Sequence, residues 1–250
     1  MSKLLIEKVA LVTGAGSGIG REAAILYARE GAHVVVSDTN EAGGLETVEK
    51  IKAIGGDGIF IKADVSQPEA HEKLVAKTLE KYKVLDIACN NAGIGGESNP
   101  VGDMSIDGWK KVIDINLNGV FYGMHYQIPA MLKQGKGAIV NVASILGQVG
   151  FMNSSAYVAA KHGVVGLTKN AAMEYSAKGI RVNSIGPGFI KTPLLNQLDE
   201  ATMNMLVSLH PIGRLGESKE VAELIVWLSS DKASFVTGSY YAIDGGYLSQ

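Results

Sequence analysis

Tyr157-Val158-Ala159-Ala160-Lys161 sets a phenol and an ammonium four residues apart, and so on one face of any helix that contains them. A tyrosine ordinarily ionises at about pH 10, so acid/base work near neutrality needs its anion stabilised, which a neighbouring Lys ammonium does. Ser144 ends an apolar run and offers a hydroxyl that can donate to a carbonyl oxygen. Together the three side chains suit proton transfer beside a carbonyl oxygen. Other chemistries lack their parts: the five histidines show no metal-ligand spacing, and no Gly-x-Ser-x-Gly elbow supplies a hydrolase nucleophile. The lone cysteine, Cys89, reads as a small buried apolar residue and not as a reactive thiol.

A second constellation lies near the start. The apolar run Val9 to Val12 leads into Thr13-Gly14-Ala15-Gly16-Ser17-Gly18-Ile19-Gly20 and then a helical pattern. Glycines allow the tight turn at 14, close approach of a pyrophosphate at 18 and helix-on-sheet packing at 20, while helix N-terminal amides face the anion. The spacing is not G-x-G-x-x-G, and no Gly-Lys-Ser/Thr follows to make a P-loop. A purely structural turn is the alternative. Asp38 ends the next apolar run, 18 positions after Gly20, where a carboxylate can accept from an adenosine ribose; a turn aspartate capping the next helix is the competing reading.

These groups need a frame that gathers them. Seven short apolar runs recur, at Val9 to Val12, Val34 to Val36, Ile59 to Ile61, Leu85 to Ala88, Ala138 to Val142, Ile180 to Ile185 and Tyr240 to Ile243, with amphipathic stretches between. Runs without polar alternation predict strands covered on both faces, joined by helical crossovers. The expected fold is therefore α/β: a single-domain, Rossmann-type, doubly wound parallel sheet of seven strands with helices on both faces. In such sheets ligands gather at the carboxyl ends of the strands, where Ser144 and the Asn90-Asn91-Ala92-Gly93 segment would stand. Asn116 falls on the helix before the fifth strand, where an exposed or capping amide is the plain reading. Ser66 with Glu69 suggests a capping box, and Ser218 a cap for the helix holding Val221 to Leu228.

The whole chain sets further bounds. With 250 residues, 46% hydrophobic and 19% charged, one core is expected over residues 1–250, with a cofactor half to about 135 and a catalytic half from about 136. A formal charge of -2 and no Lys/Arg run argue against nucleic acid. The uncharged stretch from Gly137 to Ala160 carries too many amides and hydroxyls for a membrane span and reads as strand, loop and helix. One cysteine and no secretory pattern suit a cytoplasmic setting. The segment from Phe189 to Pro211, with Leu194, Leu195, Met203, Met205 and Leu206, suits a lid over a ligand or a short helix at a subunit contact.

In combination these motifs resemble the short-chain dehydrogenase/reductase family, from about Lys8 to Gly246. Thr13-Gly14-x-x-x-Gly18-Ile19-Gly20 is similar to its cofactor turn, Asp64-Val65 to its adenine contact, and Asn90-Asn91-Ala92-Gly93 to its fourth-strand motif. Asn116, Ser144, Tyr157 and Lys161 match its catalytic tetrad, and Pro187-Gly188 with Ile190 and Thr192 the segment that embraces the nicotinamide. The resemblance implies hydride transfer between a secondary alcohol or ketone and a nicotinamide. Ser144 would polarise the substrate oxygen and Tyr157 exchange the proton. Lys161 would bind the ribose and lower the Tyr157 pKa, and Asn116 would hold a helix irregularity and a relay water. It also implies a homotetramer, or a dimer, built from the helices around Asn116 and Tyr157 and from the C-terminal strand.

Asp38, with neutral Thr39 beside it and Ser17 where NADP-preferring relatives often carry a base, points to NAD(H) in preference to NADP(H). The substrate is expected to be neutral and mostly apolar, against Ile94, Leu146, Phe151, Met152, Phe189, Leu195 and Met205, with Gln148 and Asn153 leaving room for a hydroxyl. An ordered C-terminus is expected, where the Gln250 carboxylate could take a hard cation such as Mg²⁺. Two alternatives stay open: a 3-oxoacyl-carrier-protein reductase using NADPH, and a non-catalytic NAD sensor.

Overall fold

Apolar residues on both faces of each run force the strands into the middle of a sandwich. The computed structural model describes residues 3–193, 195 and 199–250. A seven-stranded sheet has the order β3-β2-β1-β4-β5-β6-β9, every pair parallel. Its strands are β1 (Val9–Thr13), β2 (His33–Asp38), β3 (Asp57–Lys62), β4 (Ile87–Asn90), β5 (Gly137–Val142), β6 (Ile180–Pro187) and β9 (Tyr240–Ile243). All seven expected strands are present. The fourth runs about two residues later than its apolar run, because Asn90 pairs with Asn141 of β5 inside the sheet.

Alternate residues feed two separate cores. Ala10, Val12, Val34 and Val36 pack on the face covered by α1 (Gly18–Arg29), α2 (Glu41–Ala53) and α8 (Ser218–Ser229). Leu11, Val35, Ala88 and Ile139 pack on the opposite face under α3 (Pro68–Tyr82), α5 (Gly119–Leu132) and α6 (Ser155–Tyr175). The doubly wound expectation is met. Between α4 (Ile106–Ile113) and α5 the helix widens into a π turn over Asp114–Asn118, with Asn116 at its centre.

Two helix starts differ from expectation. Pro68 at the first helical position makes Gln67 the cap of α3, and Ser66 instead bonds to Asp64 through both its N–H and its hydroxyl. At α8 the cap is Glu217, in a capping box with Glu220, while the Ser218 hydroxyl donates to the Lys191 carbonyl. Each cap lies one residue away from the side chain that suggested it. The uncharged 137–160 stretch is strand, 3-10 turn and helix, and no helix among the described residues is long and apolar enough to cross a membrane.

The irregular segment after β6 holds a short strand, β7 (Ile190–Lys191), paired with β8 (Gly216–Glu217), and a helix, α7 (Glu200–Ser208), capped by Asp199. Leu194 lies outside the described residues. The chain ends in order, with a 3-10 turn at Tyr247–Ser249 and the Gln250 amide donating to the Leu209 carbonyl at 3.0 Å.

Candidate active site

The strand order reverses between β1 and β4, opening a crevice at their carboxyl ends. Side chains stitch its floor. Thr13 Oγ1 accepts from the backbone N–H groups of Asn91 (3.1 Å) and Ala92 (3.2 Å), and Asn91 Nδ2 donates back to the Thr13 and Gly14 carbonyls. Gly14 turns with a φ of +63°, and a side chain at Gly20 would collide with the Gly14 carbonyl. The glycines therefore bring α1 onto the sheet edge. Ser17 caps α1 with no side-chain bond, and the first turn carries no acidic residue. Its first turn lines the crevice with no acidic side chain of its own, as suits an anion such as a pyrophosphate.

Asp38 stands beside this turn. One carboxylate oxygen accepts from Gly16 N and the other from Asn40 N, each at 2.8 Å. Asp38 thus shapes the β2–α2 turn, but the cap of α2 is Asn40. Each oxygen keeps a second lone pair for a hydroxyl donor. A cation bonded to the same turn is engaged: Arg21 bonds Thr47 and the Gly16 carbonyl, and pairs with Glu46 at 2.8 Å.

The reacting groups converge from β5 and α6 on a cavity of about 750 Å³, which the turn and Asp38 also line. Ser144, Tyr157 and Lys161 all face it. Lys161 is buried, donates Nζ to the Val142 carbonyl at 2.7 Å and lies 5.5 Å from the centroid of the Tyr157 ring. Removal from water pushes its ammonium down to about 8. Burial pushes the Tyr157 phenol above its ordinary value, and the neighbouring Ser144 hydroxyl pulls it partly back. The net direction is opposite to the lowering expected from Lys161. The ammonium lies over the ring and donates to the Val142 carbonyl, while desolvation dominates at the phenol.

Asn116 is fully buried and locked: its Oδ1 accepts from Ile94 N at 2.9 Å and its Nδ2 donates to Ile94 O at 2.8 Å. It ties the π turn to the loop after β4. Tyr240, reaching from β9 across Gly186, donates to the Ser144 carbonyl at 2.9 Å. Motif reading missed this brace.

Most expected site residues line the cavity. They include Gly14, Ser17, Gly18 and Ile19 from the turn, Asp64 and Val65 after β3, and Asn91 to Gly93 after β4. Pro187, Gly188, Ile190 and Thr192 line it from the other side, and Leu146, Phe151 and Phe189 form apolar wall, with Phe151 and Phe189 ring centroids 5.6 Å apart. Gly20 and Asn116 lie behind the surface, as packing and locking groups. Asn153 is not brought in. It turns with a φ of 61° ahead of α6, exposed, and Met152 beside it is exposed too. Met205 likewise faces away, exposed on α7. Missed were the loop Gly95 to Ser98, which includes Glu97, and Ile115 and Ser154; the Gly95-Gly96 pair was the available signal. No cluster of three or more metal-ligating side chains exists among the described residues, and the terminal carboxylate gains no support as a cation site. Burial pushes the Cys89 thiol up to about 12, in keeping with an inert packing residue.

Comparison with known proteins places this geometry. A family model described as enoyl-(acyl carrier protein) reductase matches residues 14–248. The chain is 54% identical over 250 residues to a cyclohexanol dehydrogenase of Acinetobacter sp. (strain SE19), covering 100% of this chain and 98% of that protein. It is 46% identical over 244 residues to a 2,5-dichloro-2,5-cyclohexadiene-1,4-diol dehydrogenase of Sphingobium indicum, covering 96% of each. A crystal structure of levodione reductase superposes with a TM-score of 0.92 at 38% identity, covering 97% of this chain and 98% of that one. The chain belongs to the short-chain dehydrogenase/reductase family.

Proposed function

We propose that this chain oxidises small neutral secondary alcohols, ring alcohols such as cyclohexanol among them, to ketones and runs the reverse reaction with NAD(H). One observation carries the reading. Ser144, Tyr157 and Lys161 line the same cavity as the open N-terminus of α1 and the Asp38 carboxylate. The relatives named for cyclohexanol and for a chlorinated cyclohexadienediol support a ring substrate.

When bound, a nicotinamide supplies or accepts the hydride. Gly14 and the 17–20 turn would hold its phosphates, Asp38 its adenosine ribose, and Asp64 and Val65 its adenine. Asn91 to Gly93 with Pro187, Gly188, Ile190 and Thr192 would hold the nicotinamide end. Ser144 donates to the substrate oxygen. Tyr157 gives a proton to the ketone oxygen in reduction and takes one from the alcohol in oxidation. Lys161 would bind the nicotinamide ribose and, charged, favours the phenolate. Asn116, bonded to both main-chain groups of Ile94, holds the π turn beside which a relay water would rest.

NAD(H) is favoured because Asp38 would repel an added phosphate while Arg21, the nearby base, is paired with Glu46. We read residues 1–135 as the cofactor half and 136–250 as the substrate half of one unit. We also read the assembly as a homotetramer in the cytoplasm. Exposed Trp109 and Phe121 on α4 and α5, and Trp227 and Phe235 near β9, support the assembly.

Steady-state assays with NAD⁺ and NADP⁺ on cyclohexanol, a cyclohexanediol, a hydroxycyclohexanecarboxylate and a 3-hydroxyacyl thioester test this. Neutral ring alcohols with NAD⁺ should turn over best, since the charged lining is Asp38, Asp64 and Glu97 with Lys161 its one cation among the described residues. Faster turnover of the carboxylate would overturn the pocket reading. Turnover of the thioester alone, with NADP⁺, would instead favour a carrier-protein reductase. Cofactor binding without any turnover would mark a sensor.

A further inference from the structure

His210 lies outside the motifs and does not line the cavity, yet it is 3% exposed and has both ring nitrogens engaged. Nδ1 meets the Leu206 carbonyl of α7 at 2.8 Å. A carbonyl can only accept, so Nδ1 carries the hydrogen. Nε2 faces the backbone N–H of Phe189 at 3.2 Å. That group can only donate, so Nε2 presents its lone pair. The two contacts together define one neutral tautomer.

The ring also sits inside an aromatic chain that leads to the cavity. Phe151 packs on Phe189 at 5.6 Å, Phe189 on His210 edge-on at 5.8 Å, and His210 on Tyr247 at 5.6 Å. Gly188 is open for this purpose: a Cβ there would lie 2.7 Å from Nε2. Ile212 N donates to Gly245 O nearby, so the imidazole joins the β6–β7 connection, the end of α7 and the C-terminal turn. Of these, the Phe189 side leads to the cavity that holds the reacting groups.

We propose that His210 is a positioning residue, whose Nε2 lone pair holds the Phe189 main chain so that the Phe189 ring forms the apolar wall against which the substrate ring seats. The inference rests on the dehydrogenase reading for its kinetic arm alone. Losing the acceptor leaves the Phe189 N–H unpaired and frees the loop that carries the wall. Losing the ring while keeping an acceptor costs packing and the Nδ1 bond to the Leu206 carbonyl but leaves the Phe189 N–H paired.

The test uses the whole enzyme with cyclohexanol and NAD⁺. His210→Phe keeps an aromatic ring without an acceptor, and His210→Gln places a side-chain carbonyl oxygen near the Nε2 position. Expected is a rise of about tenfold in the cyclohexanol KM for His210→Phe, with the NADH dissociation constant within about twofold, and recovery to within about threefold in His210→Gln. A wild-type KM in His210→Phe, or equal KM damage in both variants, would overturn it. A role confined to folding would lower Tm and leave KM unchanged, which also overturns it. Imidazole ¹⁵N shifts of the unmodified protein give an arm independent of activity and of variant folding. A hydrogen on Nδ1 is expected, and one on Nε2 overturns the assignment even if no alcohol is turned over.

Discussion

Lys161 donates Nζ to the Val142 carbonyl oxygen at 2.7 Å, so a buried ammonium is held by a carbonyl at the end of β5 and not by a carboxylate. Among the described residues no salt bridge compensates its desolvation, and its pKa falls to about 8. Below about pH 8 both folded and unfolded chains carry this proton and the folded state bears the full cost. Between about 8 and 10.5 only the unfolded chain stays charged, so it binds more protons and the Lys161 contribution to stability rises with pH. Lys161→Met should therefore stabilise the fold at pH 7, by at most about 3 kcal/mol at 1.36 kcal/mol per pKa unit, and the gain should shrink as pH approaches 10. Thermal melts from pH 6.5 to 10 check this. Alcohol oxidation by the variant should be impaired most near neutrality and recover toward high pH as the phenol ionises.

Tyr157→Phe removes the transferable proton and keeps the ring volume. Turnover should fall by on the order of a hundred- to ten-thousand-fold, while NADH affinity, read by fluorescence, stays within about twofold. Retention of a substantial fraction of wild-type turnover on cyclohexanol would mean that another group carries the proton.

Asp38→Ser with Thr39→Arg removes the repelling carboxylate and adds a cation at an exposed position. Preference should move toward NADP(H), measured as the ratio of kcat/KM for the two cofactors. Solvent screening limits the shift to a few kcal/mol, and added salt should reduce it further. Because Asp38 also accepts from Gly16 and Asn40, some loss of stability should accompany the change.

Tyr240→Phe removes the hydroxyl that braces the Ser144 carbonyl. A single hydrogen bond of this kind contributes about 1 kcal/mol, so Tm should drop by a few degrees. If the brace also aims the Ser144 hydroxyl, kcat should fall about three- to tenfold with KM for NAD⁺ unchanged, as steady-state kinetics would read. Full turnover per folded molecule would show that β5 holds Ser144 without help.

The chain's order of residue types determined the parts. Continuous apolar runs make strands covered on both faces wherever they occur, and the glycine turn, Asp38, Ser144 and the Tyr157/Lys161 pair are placed by local backbone geometry, so which of them share a helix face or a strand end is readable from spacing. Where local signals compete, one residue decides, as at α3, where Pro68 moves the cap from Ser66 to Gln67. The braces were settled only by folding. Tyr240 meets Ser144 across 96 positions, Asn91 meets Thr13 across 78 and His210 meets Phe189 across 21, and no periodicity links residues brought together by parallel crossovers. The direction of the Tyr157 pKa belongs with them. Spacing placed Lys161 on the same helix face, but the Val142 carbonyl drew its hydrogen bond away and burial raised the phenol, because desolvation depends on everything packed around a group and not on its neighbours in sequence.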